Sequence, residues 1–175
     1  MNTYVALLRG INVGGHKKTP MAALRQLLTD LQFENVKTYI QSGNIVFNSI
    51  EKEPVVLENK ISEAIKKYFG FEVPTLVKTK EEFESIFNNC PFTDEKKQQS
   101  YFTLLQSVPK KELLYFIEEL NYPDEEIVPT NRCIYFFSDK PYGNVKYNNN
   151  LIERKLKVSA TSRNYKTMKR LLELL

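Results

Sequence analysis

The run Tyr4-Val5-Ala6-Leu7-Leu8 constrains this chain most. It is apolar without a clean polar alternation, so residues 3–9 predict a strand covered on both faces. It passes directly into Arg9-Gly10-Ile11-Asn12-Val13-Gly14-Gly15-His16-Lys17-Lys18, a glycine-rich basic loop. A strand that is interior on both sides needs neighbours and covering layers, and the next segments supply them. Thr19-Pro20 predicts a helix start, with Thr19 as N-cap and Pro20 at the first helical position. Met21, Leu24, Leu28 and Leu31 recur at helical spacing. Val36 to Ile40 predicts a strand, Gln41-Ser42-Gly43-Asn44 a turn, and Ile45 to Asn48 the returning strand. Leu57, Ile61, Ala64, Ile65 and Tyr68 mark a second helix that ends near Gly70. Phe71 to Lys78 predicts a fourth strand, and Pro74 favours an edge position for it.

The order strand-helix-strand-strand-helix-strand is the βαββαβ pattern of a ferredoxin-like unit. The predicted fold is therefore α+β, with a ferredoxin-like subdomain over 1–79 packed against a smaller α+β subdomain over 80–175. In the second part, Thr79 to Glu82 reads as a capping box opening a helix to about Asn88. Cys90-Pro91-Phe92 breaks it. A strand follows at 100–107, then a helix opened by Pro109, and a strand pair at 125–129 and 132–138. Residues 139–150 read as a polar connection containing Pro141 and Gly143. Helices at 148–156 and from Asn164 complete the chain. No internal repeat is visible.

The topology brings two segments together. In a ferredoxin-like unit the loop after the first strand and the hairpin between the second and third lie at one end of the sheet. The site expected there comprises Arg9, Gly10, Asn12, Gly14, Gly15, Lys17, Ser42, Gly43 and Asn44. Glycine-rich backbone near a helix start can cradle an anion. The competing reading is that the glycines serve tight backbone geometry and the polar groups cap one another. A second basic segment, Ala160 to Lys166, offers Arg163 and Asn164 as anion contacts at the start of the last helix. Its competing reading is N-capping by Thr161 or Ser162.

Charge is unevenly distributed and has two readings, a solvated face on two terminal helices or an attraction for phosphates. Residues 140–175 carry a net charge of +7 and residues 81–139 a net charge of −7, and a basic terminal segment attracts phosphates. Two phosphate motifs fail: Gly10 and Gly15 have the P-loop spacing, but His16 stands where lysine is required, and no GxGxxG occurs. Tyr4 and Phe47 stand on the first and third strands, the positions from which RNA-recognition sheets stack bases, but the third strand lacks the G-F-G-F type of motif. His16 is the only histidine and Cys90 and Cys133 have no CxxC spacing, so no metal site, catalytic triad or cofactor is predicted. No apolar run approaches a membrane span or a signal peptide, and a cytoplasmic protein is expected.

Four segments resemble the motifs of a bacterial family catalogued as a domain of unknown function. They are Arg9 to Gly15, Thr38 to Asn44, Asn89-Cys90-Pro91-Phe92, and Ala160 to Asn164. They span nearly the whole chain in order, which implies a full-length member with two α+β subdomains. The resemblance implies no activity. Many members have Trp where Tyr165 stands, and a Ser-Lys pair near Tyr147-Asn148-Asn149-Asn150, so contacts through those residues are not carried over. Three functions remain: a binding module for a phosphate-bearing ligand (nucleotide or single-stranded nucleic acid), a protein-interaction or structural role including a homodimer, and an enzyme on a small anionic metabolite.

Overall fold

The computed structural model describes residues 1–141 and 144–175; Gly143 of the polar connection lies outside the described residues. The elements follow as β1 (Asn2–Leu8), α1 (Met21–Asp30), β2 (Glu34–Tyr39), β3 (Asn44–Ser49), α2 (Pro54–Phe69), β4 (Thr75–Thr79), α3 (Lys80–Asn88) and α4 (Asp94–Gln99). Then come β5 (Tyr101–Leu105), α5 (Lys111–Glu118), β6 (Glu125–Pro129), β7 (Cys133–Ser138), α6 (Asn149–Leu156), β8 (Ala160–Asn164) and α7 (Tyr165–Leu174). They form two compact units. One comprises Met1–Glu84 with Arg170–Leu175, the other Ser85–Lys169.

In the first unit the strands lie in the order β2-β3-β1-β4, all antiparallel. This is the ferredoxin-like arrangement, with β4 at an edge as Pro74 suggests. Tyr4, Ala6 and Leu8 point into a core shared with Leu24 and Leu28 of α1 and Leu57, Ile61 and Ile65 of α2. Val5 and Leu7, on the other face, are equally buried. Both faces of β1 are therefore out of water, which is why its sequence does not alternate. α2 ends at Gly70, whose φ of 82° makes it the left-handed C-cap.

The second unit has the same topology. Its sheet runs β6-β7-β5-β8, again fully antiparallel, and its α5 and α6 occupy the places of α1 and α2 in the chain order. The register repeats too: Tyr4 pairs with Phe47 and Tyr101 with Phe136. Main-chain bonds at the strand ends recur. Leu8 N donates to Gly43 O at 2.8 Å and Arg9 N to Pro74 O at 3.0 Å; Leu105 N donates to Arg132 O at 3.0 Å and Gln106 N to Ser159 O at 2.9 Å. In each unit a glutamate of the second helix accepts from the last, edge strand: Glu58 Oε1 from Val77 N and Glu153 Oε1 from Ala160 N, both at 2.9 Å. Those carboxylates satisfy edge amides that would otherwise invite pairing.

Several sequence expectations change. The fold repeats although no repeat is legible, because the shared features are register and topology, with only Tyr-x-x-Leu-Leu common to β1 and β5. Ala160 to Asn164 is the strand β8, not the first turn of the last helix. Thr161 and Ser162 therefore cap nothing; Asn164 does, its Oδ1 accepting from Thr167 N at 2.9 Å. α1 begins at Met21, with Pro20 at the N-cap and no side-chain cap. Thr19 instead donates its hydroxyl to Lys17 O. The capping box at α3 is present, with Glu82 N donating to Thr79 Oγ1 and Thr79 N to Glu82 Oε2.

Candidate functional site

The loop after β1 and the β2–β3 turn meet at one end of the first sheet. Asn12 joins them. Its Nδ2 donates to Gln41 O at 2.8 Å and to Thr19 O at 3.0 Å, and its Oδ1 accepts from Thr19 N at 2.8 Å. One amide thus clasps both ends of its own loop and the neighbouring turn. Within the loop, Val13 and His16 form a miniature hairpin closed by His16 N to Val13 O at 2.9 Å. Gly14 and Gly15 between them have φ of 57° and 78°, as a type I′ turn demands of both central residues. The turn carries its own constraint. Gly43 has φ 79°, and a Cβ there would lie 2.5 Å from Leu8 Cβ. Asn44 is fully buried and donates to Tyr39 O and to Ser42 Oγ, so it braces the turn from below.

The edge is cationic. The chain has no Asp or Glu before Asp30, and none between Asn35 and Ile50. Arg9 is half-buried, His16 and Lys18 are exposed, and Lys17 donates to Glu72 O at 2.6 Å. Glu72 brings the nearby carboxylate, and its acidity is increased first by its hydrogen bond and charge pairing with Lys66 and to a lesser degree by Lys17. Arg25 donates to Thr38 Oγ1 on β2. Left-handed backbone collects here too: Gly10, Asn12, Gly14, Gly15, Lys17, Ile40 and Gly43 all have positive φ. For Ile40 this is a region that β-branched residues avoid.

A family model described as a protein of unknown function (DUF1697) matches residues 1–135. The chain belongs to this family. A solved structure of a conserved bacterial protein from Streptococcus pneumoniae is similar at 29% identity and a TM-score of 0.79, over 99% of this chain and 98% of that one. No curated protein matches. For this DUF1697 member the comparisons thus supply kinship and fold, and the chemistry has to be read from the residues.

Arg163 and Asn164 of this DUF1697 chain lie in the second unit. Arg163 on β8 is half-buried and donates to Thr161 Oγ1 and to Ser162 O, at 3.1 and 2.9 Å. Burial pushes its pKa down to about 10, which leaves it charged at neutral pH. Asn164 serves as the cap described above. Tyr4 and Phe47, considered for base stacking, are fully buried in the helix-covered core and offer no open face. Among the described residues no three His, Cys, Asp or Glu side chains converge on a metal-sized site, and no helix is long and apolar enough to cross a membrane.

Two features escaped the sequence reading. One is a hydroxyl chain in the second unit, buried at Tyr147 and Thr103 and half-buried at Ser162 and Asn149. Tyr147 Oη donates to Thr103 Oγ1, which lies 2.6 Å from Ser162 Oγ, and Ser162 donates to Asn149 Oδ1. Ser162 spends its proton on Asn149, so Thr103 must donate to Ser162. The residues are far apart in sequence and carry no motif. The other is a groove of about 750 Å³ in the first unit, lined by Met1, Leu31, Phe33, Ile50 and Lys60 among others. It lies where β1 starts, at the opposite end of the sheet from the glycine-rich loop.

Proposed function

We propose that this protein is a binding module for a phosphate-bearing ligand, a nucleotide or single-stranded nucleic acid, held at the edge formed by residues 9–18 and 41–44. The observation that carries the reading is the Asn12 clasp. It fixes an exposed glycine hairpin and a second turn side by side on a sheet end rich in cations and poor in carboxylates. Arg9, Lys17 and Lys18 supply charge; Gly10, Gly14 and Gly15 let backbone amides come close to an anion; Ser42, Gly43 and Asn44 shape the second wall. Much of the polar chemistry at this edge is already committed to holding the loop, so the ligand is recognised by an ordered surface that needs little rearrangement. Preorganisation of that kind lowers the cost of binding.

The test is a thermal-shift panel of nucleotides, sugar phosphates, inorganic phosphate and short oligonucleotides. A ligand at a hundredfold excess over its Kd stabilises the folded state by about 2.7 kcal/mol. Arg9→Ala/Lys18→Ala should abolish that shift while the apo melting temperature stays within a few degrees. A shift that survives in the double variant, or none for any phosphate, overturns the proposal. A steep fall in affinity with salt distinguishes nucleic acid from a mononucleotide.

A protein-interaction role has its own support in the second unit, where Val108, Tyr115 and Phe116 are exposed large apolar residues at and before α5. Analytical ultracentrifugation of the wild type and of Phe116→Ser tests it. A monomer at all concentrations counts against a homodimer.

A further inference from the structure

Two large aliphatic side chains stand open at the phosphate-binding edge. Val13 is 64% exposed and Ile40 is 52% exposed. They are the chain neighbours of Asn12 and Gln41, the two residues joined by the 2.8 Å bond between loop and turn. One exposed aliphatic residue on a protein surface carries no argument. Here two flank a single hydrogen-bonded pair, and one of them sits in a backbone conformation its side chain disfavours. Ile40 has φ of 50°, where Gly or Asn would be at ease. Its exposure means that little core packing compensates for that choice. Val13 gives its main-chain carbonyl to the hairpin bond. Each of these apolar side chains thus belongs to a residue that leaves more than half of its surface in water.

We infer that the ligand bound at this edge carries a planar ring beside its phosphate, as a nucleotide does in its base, and that Val13 and Ile40 pack against the face of that ring. The inference rests on the phosphate-binding reading and narrows it. A bare anion or a sugar phosphate would use the cations and the glycine amides but would leave both aliphatic side chains in water. A nucleotide uses both: phosphate against Arg9, Lys17 and Lys18, base against Val13 and Ile40. Removing apolar surface from water on both partners supplies affinity that charge alone does not. No covalent step is involved.

Fluorescence anisotropy with a labelled 12-residue thymidylate oligonucleotide and an abasic strand of equal length and charge tests this. Thymidine monophosphate against deoxyribose 5-phosphate, read by isothermal titration calorimetry, forms the monomer arm and shows whether a single nucleotide or a polymer is the ligand. Wild type should bind the base-bearing member of at least one pair about tenfold more tightly, a difference of about 1.4 kcal/mol. Ile40→Asn, which suits the turn backbone and keeps the fold, and Val13→Ser should each remove most of that difference and leave binding of the baseless member unchanged. Equal affinity for base-bearing and baseless ligands overturns the inference while leaving the phosphate reading intact. Failure of wild type to bind any of the four ligands overturns both. A loss in Ile40→Asn that is equal for both members of a pair also overturns it, because the residue then supports the loop and makes no base contact.

Discussion

Gly43→Ala tests the geometry of the edge most directly. The new methyl meets two separate penalties. The first is conformational: at φ 79° an L-residue with a Cβ costs about 1–2 kcal/mol. The second is steric. The methyl would stand 2.5 Å from Leu8 Cβ and 3.1 Å from Ile11 Cδ1. Leu8 Cβ is fixed to the central strand and cannot swing aside, so the turn must move outward, at about 1–3 kcal/mol for overpacking. That movement also stretches the bond from Leu8 N to Gly43 O, now 2.8 Å long. The reduced freedom of the unfolded chain gives back about 0.4–1 kcal/mol. The net expectation is a loss of about 2–4 kcal/mol. Gly70→Ala is the matched control: its φ is 82° and nothing lies within 4 Å of the added methyl. It should cost about 1 kcal/mol, the conformational part alone. Urea denaturation followed by far-UV circular dichroism measures both, with an unchanged m-value required for the comparison. If Gly43→Ala costs no more than Gly70→Ala, the turn does not press on β1 and the described edge is wrong.

Further expectations concern the hydroxyl chain, the strained turn and alkaline pH. Thr103→Val keeps shape but takes from Tyr147 its Thr103 acceptor and from Ser162 its Thr103 donor, and should lower stability by about 2 kcal/mol in urea titrations. Adding Tyr147→Phe should then cost less than it does alone, and strict additivity would refute the network. Ile40→Asn should raise stability by about 0.5–1.5 kcal/mol, since Asn tolerates the left-handed conformation; a lower melting temperature would show that Ile40 contributes packing instead. Tyr135 is buried and donates its hydroxyl to Ile86 O at 2.8 Å. Burial raises its pKa well above the ordinary value near 10. The folded state thus keeps the proton where the unfolded chain has lost it. The contribution is whole below about pH 10 and declines as pH rises toward the folded value. Stability of the wild type should fall above pH 10 more steeply than that of Tyr135→Phe, and parallel curves would contradict this.

Much of the first unit was legible because its signals are local. A doubly buried strand, helical spacing from Met21 to Leu31, and Gly70 after an amphipathic run each announce their element within a few residues. Topology then carried the argument one step further, to loop 9–18 and turn 41–44 at the same sheet end. The second unit was harder. Ala160-Thr161-Ser162-Arg163-Asn164 has the hydroxyls and charge of a helix start, yet it is a strand. Its propensity yields to the pairing of Leu105 with Ala160 and Tyr101 with Asn164, partners more than fifty residues away. Likewise α4, rich in Lys and Gln with no buried residue, has no apolar stripe to reveal it.

The sequence by itself determined the class of fold, the element order of the first unit, the glycine positions and the concentration of cations near the first loop. Each follows from short-range chemistry: side-chain spacing, allowed backbone angles and charge. Only the tertiary structure decided that Asn12 ties the loop to Gln41, that Gly43 is pressed against Leu8, that Thr103 links Tyr147 to Ser162, and that the second unit repeats the first. Those facts depend on strand pairing between distant segments, and a pairing partner leaves no mark in the residues it will meet until the chain has closed around it.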